Sequence, residues 1–291
     1  DNGAEHNVVA KFEKMTSSEK TALDLKLGVT VAYDSKWGIY YYGFYPQDLA
    51  ASSSKNTDLF NLLEPIYKEG NVSFSIQDPA FYNGEYYVRN NNKYFLMERI
   101  ECYQIGYTST KTKLCTKKII TGGLNYQFNS STAQKARTPW GETGSAIVYA
   151  NNYKYSDLRR TLNTTLVDEM FHFSRSKLTT STVDNSAASM GRTSNEYACE
   201  NTTDYIYLPS YYDVTEGINV FGTEKEITDY AISLDVDYTS SNNCGYFWTR
   251  SPYYNQDSYA YNVSFYGNIE RVEVNSTTKG IIPLFTVLYN R

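Results

Sequence analysis

The stretch that most restricts the fold is "GEYYVRNNNKYFLMERIECYQIGY", residues 84–107. Apolar and polar residues alternate through most of it, the period of a strand with one face buried. Three asparagines interrupt the pattern at 90–92. Asn tolerates the left-handed backbone of a tight turn, so two antiparallel strands are predicted to fold at Asn90-Asn91-Asn92. A lone hairpin is marginal in water, so further strands are required. "VTVAYDSKWGIYYYG" predicts one pair, 29–33 and 38–42, joined at Asp34-Ser35-Lys36. The C-terminal end predicts strands at 246–248, 260–266 and 281–287, with Gly267-Asn268 turning into 270–274.

Helical spacing is confined to short pieces. Residues 17–28 carry Ser17-Ser18 as a cap and Gly28 as a stop. Residues 56–68 have Asp58 near a cap, and Pro65 is expected to end or kink that helix. The strongest helical pattern is 151–174, capped by Ser156 or Asp157, with Leu158, Leu162, Leu166 and Phe171 on one stripe. Thr223 with Glu226 three residues on reads as a capping box for a helix over 223–234. "NTTDYIYLPSYYDV" predicts a strand that breaks at Pro209. The prediction is an α+β fold, with mixed or antiparallel sheets and a few short helices. Residues 31–291 form a single domain, and residues 1–30 form an N-terminal arm or helix.

Composition bounds the function. Hydrophobic residues make up 41% of 291, enough for a sizeable core. The net charge is −5 and Lys and Arg form no run, which argues against a nucleic-acid partner. No apolar stretch approaches the roughly 20 residues of a membrane span. The chain opens at Asp1 without methionine, as a processed or trimmed chain does. The 30 tyrosines allow two uses: half-buried strand positions, or a rigid amphipathic contact surface. Six Asn-x-Ser/Thr sites, at Asn71, Asn129, Asn163, Asn201, Asn262 and Asn275, are about what so much Asn, Ser and Thr yields by chance. Cys102 and Cys115 flank a polar turn centred at Thr108-Ser109 and are expected to bridge, leaving Cys199 with Cys244. Four free buried thiols are the alternative.

Candidate chemistry is sparse. The two histidines are His6, in the arm, and His172, on the long helical stretch, with no nucleophile elbow to support a triad. No Cys/His cluster has zinc spacing, and no metal or cofactor is expected. Asp168 and Glu169 point in different directions on a helix. Asp235 and Asp237 share a face if 235–237 is a strand, which would suit calcium, but they also read as a solvated face. "TGGL" at Thr121 and "GETGS" at Gly141 read as turns and not as phosphate loops.

One stretch concentrates the informative residues: "CGYFWTRSPYYNQDSYAYNVSFYG", from Cys244. Trp248 and Arg250 are two apart and share a strand face. They read as scaffold, an indole in the core and a buried guanidinium clamping loop carbonyls or a carboxylate. The following Tyr253, Tyr254, Asn255, Gln256, Asp257 and Tyr259 are too polar for a core. Tyr, Asn and a carboxylate suit sugar rings and hydroxyls, or a protein epitope. The expected ligand-binding residues are Tyr253, Tyr254, Asn255, Asp257 and Tyr259.

Several phrases, in order, resemble one family. They are Tyr42-Gly-Phe-Tyr-Pro-Gln47, Tyr82-Asn-Gly-Glu-Tyr-Tyr87, Ile100-Glu-Cys-Tyr-Gln-Ile105 and Leu158-Arg-Arg-Thr-Leu-Asn163. Then come Asp204-Tyr-Ile-Tyr-Leu-Pro-Ser-Tyr-Tyr-Asp-Val214, Thr228-Asp-Tyr-Ala231, Phe247-Trp-Thr-Arg-Ser-Pro252 and Gly280-Ile-Ile-Pro-Leu-Phe285. Together they resemble the bacterial domain-of-unknown-function family numbered 6273, found in secreted and surface proteins of gut Firmicutes and Mollicutes. The resemblance covers roughly residues 38–287. Cys102 and Thr161 stand where that family's pattern has Trp, and Ile282 where it has Arg. More distantly, an aromatic "W-x-R-S" strand, a Gly hairpin and a final strand resemble the close of C-type-lectin-like domains, formylglycine-generating enzymes and retroelement-diversified proteins. The cysteine motifs of the formylglycine-generating enzymes are missing.

The resemblance implies a secreted or surface-displayed bacterial module, lectin-like in fold. Its expected role is to bind an extracellular glycan or protein without catalysis. A second expectation is a self-assembling surface-layer or filament subunit, a homo-oligomer contacting its neighbour through the N-terminal arm. An enzyme relying on carboxylates or tyrosines alone is the third.

Overall fold

A computed structural model describes residues 17–128, 134–135, 147–217, 220–221 and 224–289. Residues 1–16 of the arm with His6, the sequon at Asn129, the "GETGS" turn and the Thr223 cap lie outside the described residues.

The chain starts with α1 (Ser17–Lys26) and the hairpin β1 (Ala32–Asp34) and β2 (Ile39–Ser52). Leu27 is buried in the main core and Leu23 packs against it, so α1 rests on its own chain's body. Gly28, at φ 63°, closes this docking. Its carbonyl accepts from Gly43 N–H at 3.0 Å, and a Cβ on Gly28 would run into the Gly43 carbonyl. Then come α2 (Thr57–Glu69), β3 (Ala80–Tyr82), β4 (Glu85–Asn90), β5 (Lys93–Tyr107) and β6 (Lys111–Thr116). The predicted Asn turn joins β4 to β5, with Asn91 and Asn92 at φ 47° and 58°. Helix α2 passes through Pro65 and ends at Gly70, φ 73°. Burial of Leu63, with Leu59, Phe60 and Ile66 packed on Phe74 and Tyr94, outweighs one lost helix hydrogen bond.

The predicted long helix forms in segments. Ser156 Oγ accepts from Arg159 N–H and caps α3 (Asp157–Thr161). A π-turn (Leu162–Leu166) leads into α4 (Val167–Met170). Leu158, Leu162, Leu166 and Phe171 are all buried. Short strands β7 (Gln134–Lys135) and β8 (Ile147–Val148) pair before it; β9 (Leu178–Thr179), β10 (Ser181–Val183), β11 (Thr202–Asp204) and β12 (Ile206–Tyr207) follow. The expected helix over 223–234 shrinks to α5 (Asp229–Ile232), capped by Thr228. Ahead of it the backbone is extended. Glu226 and Lys225 carbonyls accept from Ile119 and Gly245 N–H, and Ile227 and Thr228 N–H donate to Asn243 and Ile119. These four long-range bonds hold residues 225–228 extended ahead of the helix. The chain ends with β13 (Tyr238–Thr239), β14 (Cys244–Gly245), β15 (Phe247–Pro252), β16 (Tyr259–Val263), β17 (Ile269–Glu273) and β18 (Leu284–Leu288).

The described strands form a nine-stranded sheet in the order β1-β2-β5-β6-β18-β12, with β4 also on β5, β3 on β4 and β9 on β18. A separate three-stranded sheet runs β15-β16-β17. All named strand pairs are antiparallel, and the fold is α+β. One face of the large sheet, with Tyr42, Cys102, Leu114 and Phe285, packs on Leu158, Leu162 and Phe171. The other, with Cys115 and Leu284, packs on Phe247 and Val263 of the small sheet. Tyrosine is a core residue here: Tyr42, Tyr45, Tyr94, Tyr126 and Tyr153 are fully buried. No helix among the described residues is long and apolar enough to cross a membrane.

The expected disulfides do not form: Cys102, Cys115, Cys199 and Cys244 are all free. The β5–β6 register slips between Gln104 and Gly106, so Cys102 faces Thr116 and Cys115 faces Tyr103. Bulging by one residue sends the two thiols to opposite faces of the sheet, into separate cores. Cys199 lies against the main core near Lys154 and Tyr153, whereas Cys244 sits in the β13–β14 pair beside Glu224 and Glu226. Burial pushes the Cys102 thiol well up, Cys115 to about 12 and Cys199 to about 11.

Candidate functional site

Every residue of β15 is buried. Trp248 is fully enclosed, its Nε1 donating to Leu124 O at 3.0 Å. Arg250 makes four bonds to separate segments. Nη1 donates to Leu208 O at 2.7 Å and Asp213 Oδ2 at 2.9 Å; Nη2 and Nε reach Asp184 O at 3.1 and 3.3 Å. Asp213 Oδ2 also accepts from Ser210 N–H at 2.7 Å. The guanidinium is therefore spent inside the protein.

Several other polar residues of the ordered phrases are spent in the same way. Arg159 pairs with the buried Asp204 at 2.7 Å. Asn163 Oδ1 accepts from Tyr205 and Ile206 N–H, and its Nδ2 donates to Arg159 and Ile206 carbonyls. Gln47 Nε2 donates to Arg99 O, and Asp229 accepts from Leu49 N–H. These phrases encode clamps between segments.

The loop 253–258 joins β15 to β16. Its backbone is gripped from below by Asn151, which is fully buried. Asn151 Nδ2 faces the carbonyls of Tyr253, Gln256 and Tyr259 at 3.4, 3.0 and 3.0 Å, and its backbone N–H donates to Asp257 O at 2.9 Å. Tyr253 N–H closes the loop on Tyr259 O at 2.9 Å. Nothing in the local sequence marks Asn151, because its partners lie a hundred residues away.

Above this base the side chains form a ledge. The Tyr253 and Tyr254 rings are 4.9 Å apart, and the Arg192 guanidinium lies 3.4 Å from the Tyr254 ring centre. Arg271 sits 5.0 Å from Tyr253 and 5.4 Å from Tyr259, and donates to Gln256 Oε1 at 3.0 Å. Tyr259 O–H donates to Glu273 at 3.1 Å, which raises that phenol's pKa. Tyr261 carries the stack from Tyr253 to Tyr211. Asn255 is exposed. Asp257 is half-buried near Tyr197, whose phenol is pushed to about 12 by burial, Glu196 and Asp257. The loop residues named from sequence thus lie together, and the structure adds Arg192, Arg271, Tyr211 and Tyr261. Arg192, Arg271 and Tyr211 come from other segments, whereas Tyr261 lies two residues beyond Tyr259 in the same aromatic run.

The remaining chemical groups are dispersed. His172 is exposed, its ring edge-on to Phe173 at 4.8 Å. Asp168 pairs with Arg175. Glu169 turns inward, where burial raises its pKa while Gln77 and Tyr45 donate to it at 3.5 and 3.4 Å. Asp235 stands in a turn at φ 61°, so the expected strand-face pair with Asp237 is not built. Among the described residues no three His, Cys, Asp or Glu are grouped to hold a metal.

This arrangement defines an α+β domain whose family-like phrases build its frame. The chain belongs to the family described as Domain of unknown function (DUF6273), whose model matches residues 111–288. The matched span runs from β6 to β18 and takes in Asn151, Arg250 and the loop. It starts later than the resemblance over 38–287, leaving β1 to β5 outside. No curated protein and no solved structure matches the chain.

Proposed function

We propose that this chain is a non-catalytic binding module that offers the 253–259 loop to an extracellular glycan or protein. The observation that carries the reading is the contrast between the loop's two sides. Below, a fully buried asparagine amide faces the carbonyls of Tyr253, Gln256 and Tyr259. Above, Tyr253, Tyr254, Arg192 and Arg271 form a ledge of rigid aromatic rings and guanidinium groups. Fixing such groups before contact removes much of the ordering cost of binding. Tyr and Arg are the residues that most often dominate binding energy at interfaces. Display outside the cell and a C-type-lectin-like relationship belong to the same proposal, the latter resting on the Trp248 strand, its hairpin and the return of β18.

The test is a glycan array, with and without calcium, run beside capture on host-surface proteins. Wild type is compared with a Tyr253→Ala/Tyr254→Ala/Asp257→Ala variant. Signal lost in the variant supports the ledge as the contact surface. Equal signal from a folded variant moves binding elsewhere. Silence from both, together with polymers in light scattering, transfers the role to self-assembly.

A further inference from the structure

The small sheet carries a second concavity, at the end of β16 away from the loop. A cleft of about 380 Å³ is lined by Asp237, Tyr246, Asn262, Phe265, Glu270 and Lys279, among others. That volume lies at the lower end of small-molecule sites, about 300–1,000 Å³. At its floor is Asn262, opposite Trp248 on β15 and Glu270 on β17. Asn262 is 1% exposed, and both its Nδ2 and its Oδ1 are without a hydrogen-bond partner. A buried polar group left so is costly. Asn163, in contrast, has both amide atoms bonded. Asn262 opens a glycosylation sequon, but an amide enclosed in a central strand offers no attachment point on the folded chain.

The walls limit what would use that amide. The Lys279 ammonium lies 2.5 Å from Asp237 Oδ2 and 4.3 Å from the Tyr246 ring centre. Asp237 also accepts from Thr278 Oγ1 at 2.6 Å. Tyr246 meets Phe265 edge-on at 5.1 Å. Two carboxylates, Asp237 and Glu270, balance two cations, Lys279 and Arg271, so the lining favours a neutral ligand. A side-chain amide offers a donor and an acceptor side by side. Adjacent hydroxyls on a pyranose ring match that pair, and the rings at the rim suit its C–H face.

We infer that this cleft is a saccharide subsite in which Asn262 hydrogen-bonds a vicinal hydroxyl pair beside the touching rings of Tyr246 and Phe265. The amide is screened from solvent in the free protein, so the rim side chains Glu270 and Lys279 move aside on binding. The subsite goes beyond the loop reading: its floor, Asn262, lies toward the end of β16 away from the loop, and Arg271 on β17 is the residue that touches both.

The experiment titrates neutral methyl glycosides of glucose, galactose, mannose and N-acetylglucosamine into full-length ¹⁵N-labelled protein. The Asn262 side-chain amide resonances are followed by NMR. At least one glycoside is expected to shift them. Asn262→Leu should weaken that ligand about tenfold or more. It should also melt no lower than wild type, because an apolar isostere replaces an unpaired amide. Phe265→Ala, on the rim, should weaken the same ligand without touching the floor. Tyr254→Ala, whose guanidinium partner Arg192 is not in the cleft lining, should leave the affinity unchanged, which separates failure here from failure of the loop reading. The inference is overturned if no glycoside moves the Asn262 signals, if N-methylacetamide or a short peptide does so instead, or if Asn262→Leu binds as tightly as wild type.

Discussion

Replacing Arg250 with methionine tests whether the frame is held as described. Methionine keeps most of the stem and removes all four guanidinium bonds. Removing one partner of a buried ion pair costs about 3–5 kcal/mol, because the other charge stays behind. Asp213 keeps its bond from Ser210, and its side chain is 22% exposed, which places the effect at the lower end. The carbonyls of Leu208 and Asp184 lose charge-assisted donors, adding part of the roughly 1–3 kcal/mol of an unmet buried group. The expected loss is about 3–4 kcal/mol, a large share of the ~5–15 kcal/mol that keeps a domain folded. Urea unfolding of wild type, Arg250→Met, Asp213→Asn and the double variant measures it. Neutralising Asp213 in the Arg250→Met background should restore about 1 kcal/mol, since no stranded charge is left. A loss under about 1 kcal/mol for Arg250→Met, or strict additivity in the double variant, would refute the reasoning.

Three further outcomes follow from the packing. Gly28→Ala should destabilise by about 1–3 kcal/mol and speed amide exchange across α1, because the methyl meets the Gly43 backbone at a positive φ; unchanged exchange would count against that close approach. Glu64 is pulled up by burial, but the Tyr94 hydroxyl and Arg89 outweigh this and hold its carboxyl below the usual 4.5. A lowered folded value gives stability that is present above the unfolded value and lost as pH falls through the folded one. The advantage of wild type over Glu64→Gln should thus be constant near neutrality and shrink below about pH 4.5, as read from urea midpoints. With four free thiols, melting curves with and without dithiothreitol should superimpose, and thiol reagents should reach the fully buried Cys102 and Cys115 only on unfolding. A Cys102–Cys115 cross-linked peptide from native protein would contradict the bulged register.

The sequence by itself determined what neighbours along the chain decide. The alternation at 84–107 and the asparagines between β4 and β5 give a hairpin because Asn91 and Asn92 accept positive φ. Ser156 and the Leu158, Leu162, Leu166 stripe give a capped, one-sided helix because cap and stripe lie within a few turns. Local signals failed where distant backbone competed. Residues 225–228, expected in a helix, are instead held extended by bonds with Ile119, Asn243 and Gly245, and helix α2 does not end at Pro65 but runs on to Glu69 over a buried apolar face. The β5–β6 turn falls one residue later than spacing suggests, with Tyr107 opposite Thr112, and one bulged residue in β5 then puts Cys102 and Cys115 on opposite faces of the sheet. The loop of the candidate site was legible, being one polar, aromatic run. Its support and its neighbours were not. Asn151, Arg192 and Arg271 reach the loop, and Asn262 lies at the floor of a cleft, only because tertiary folding brings remote strands together, and a single asparagine carries no local pattern that says which carbonyl, or which ligand, it will face.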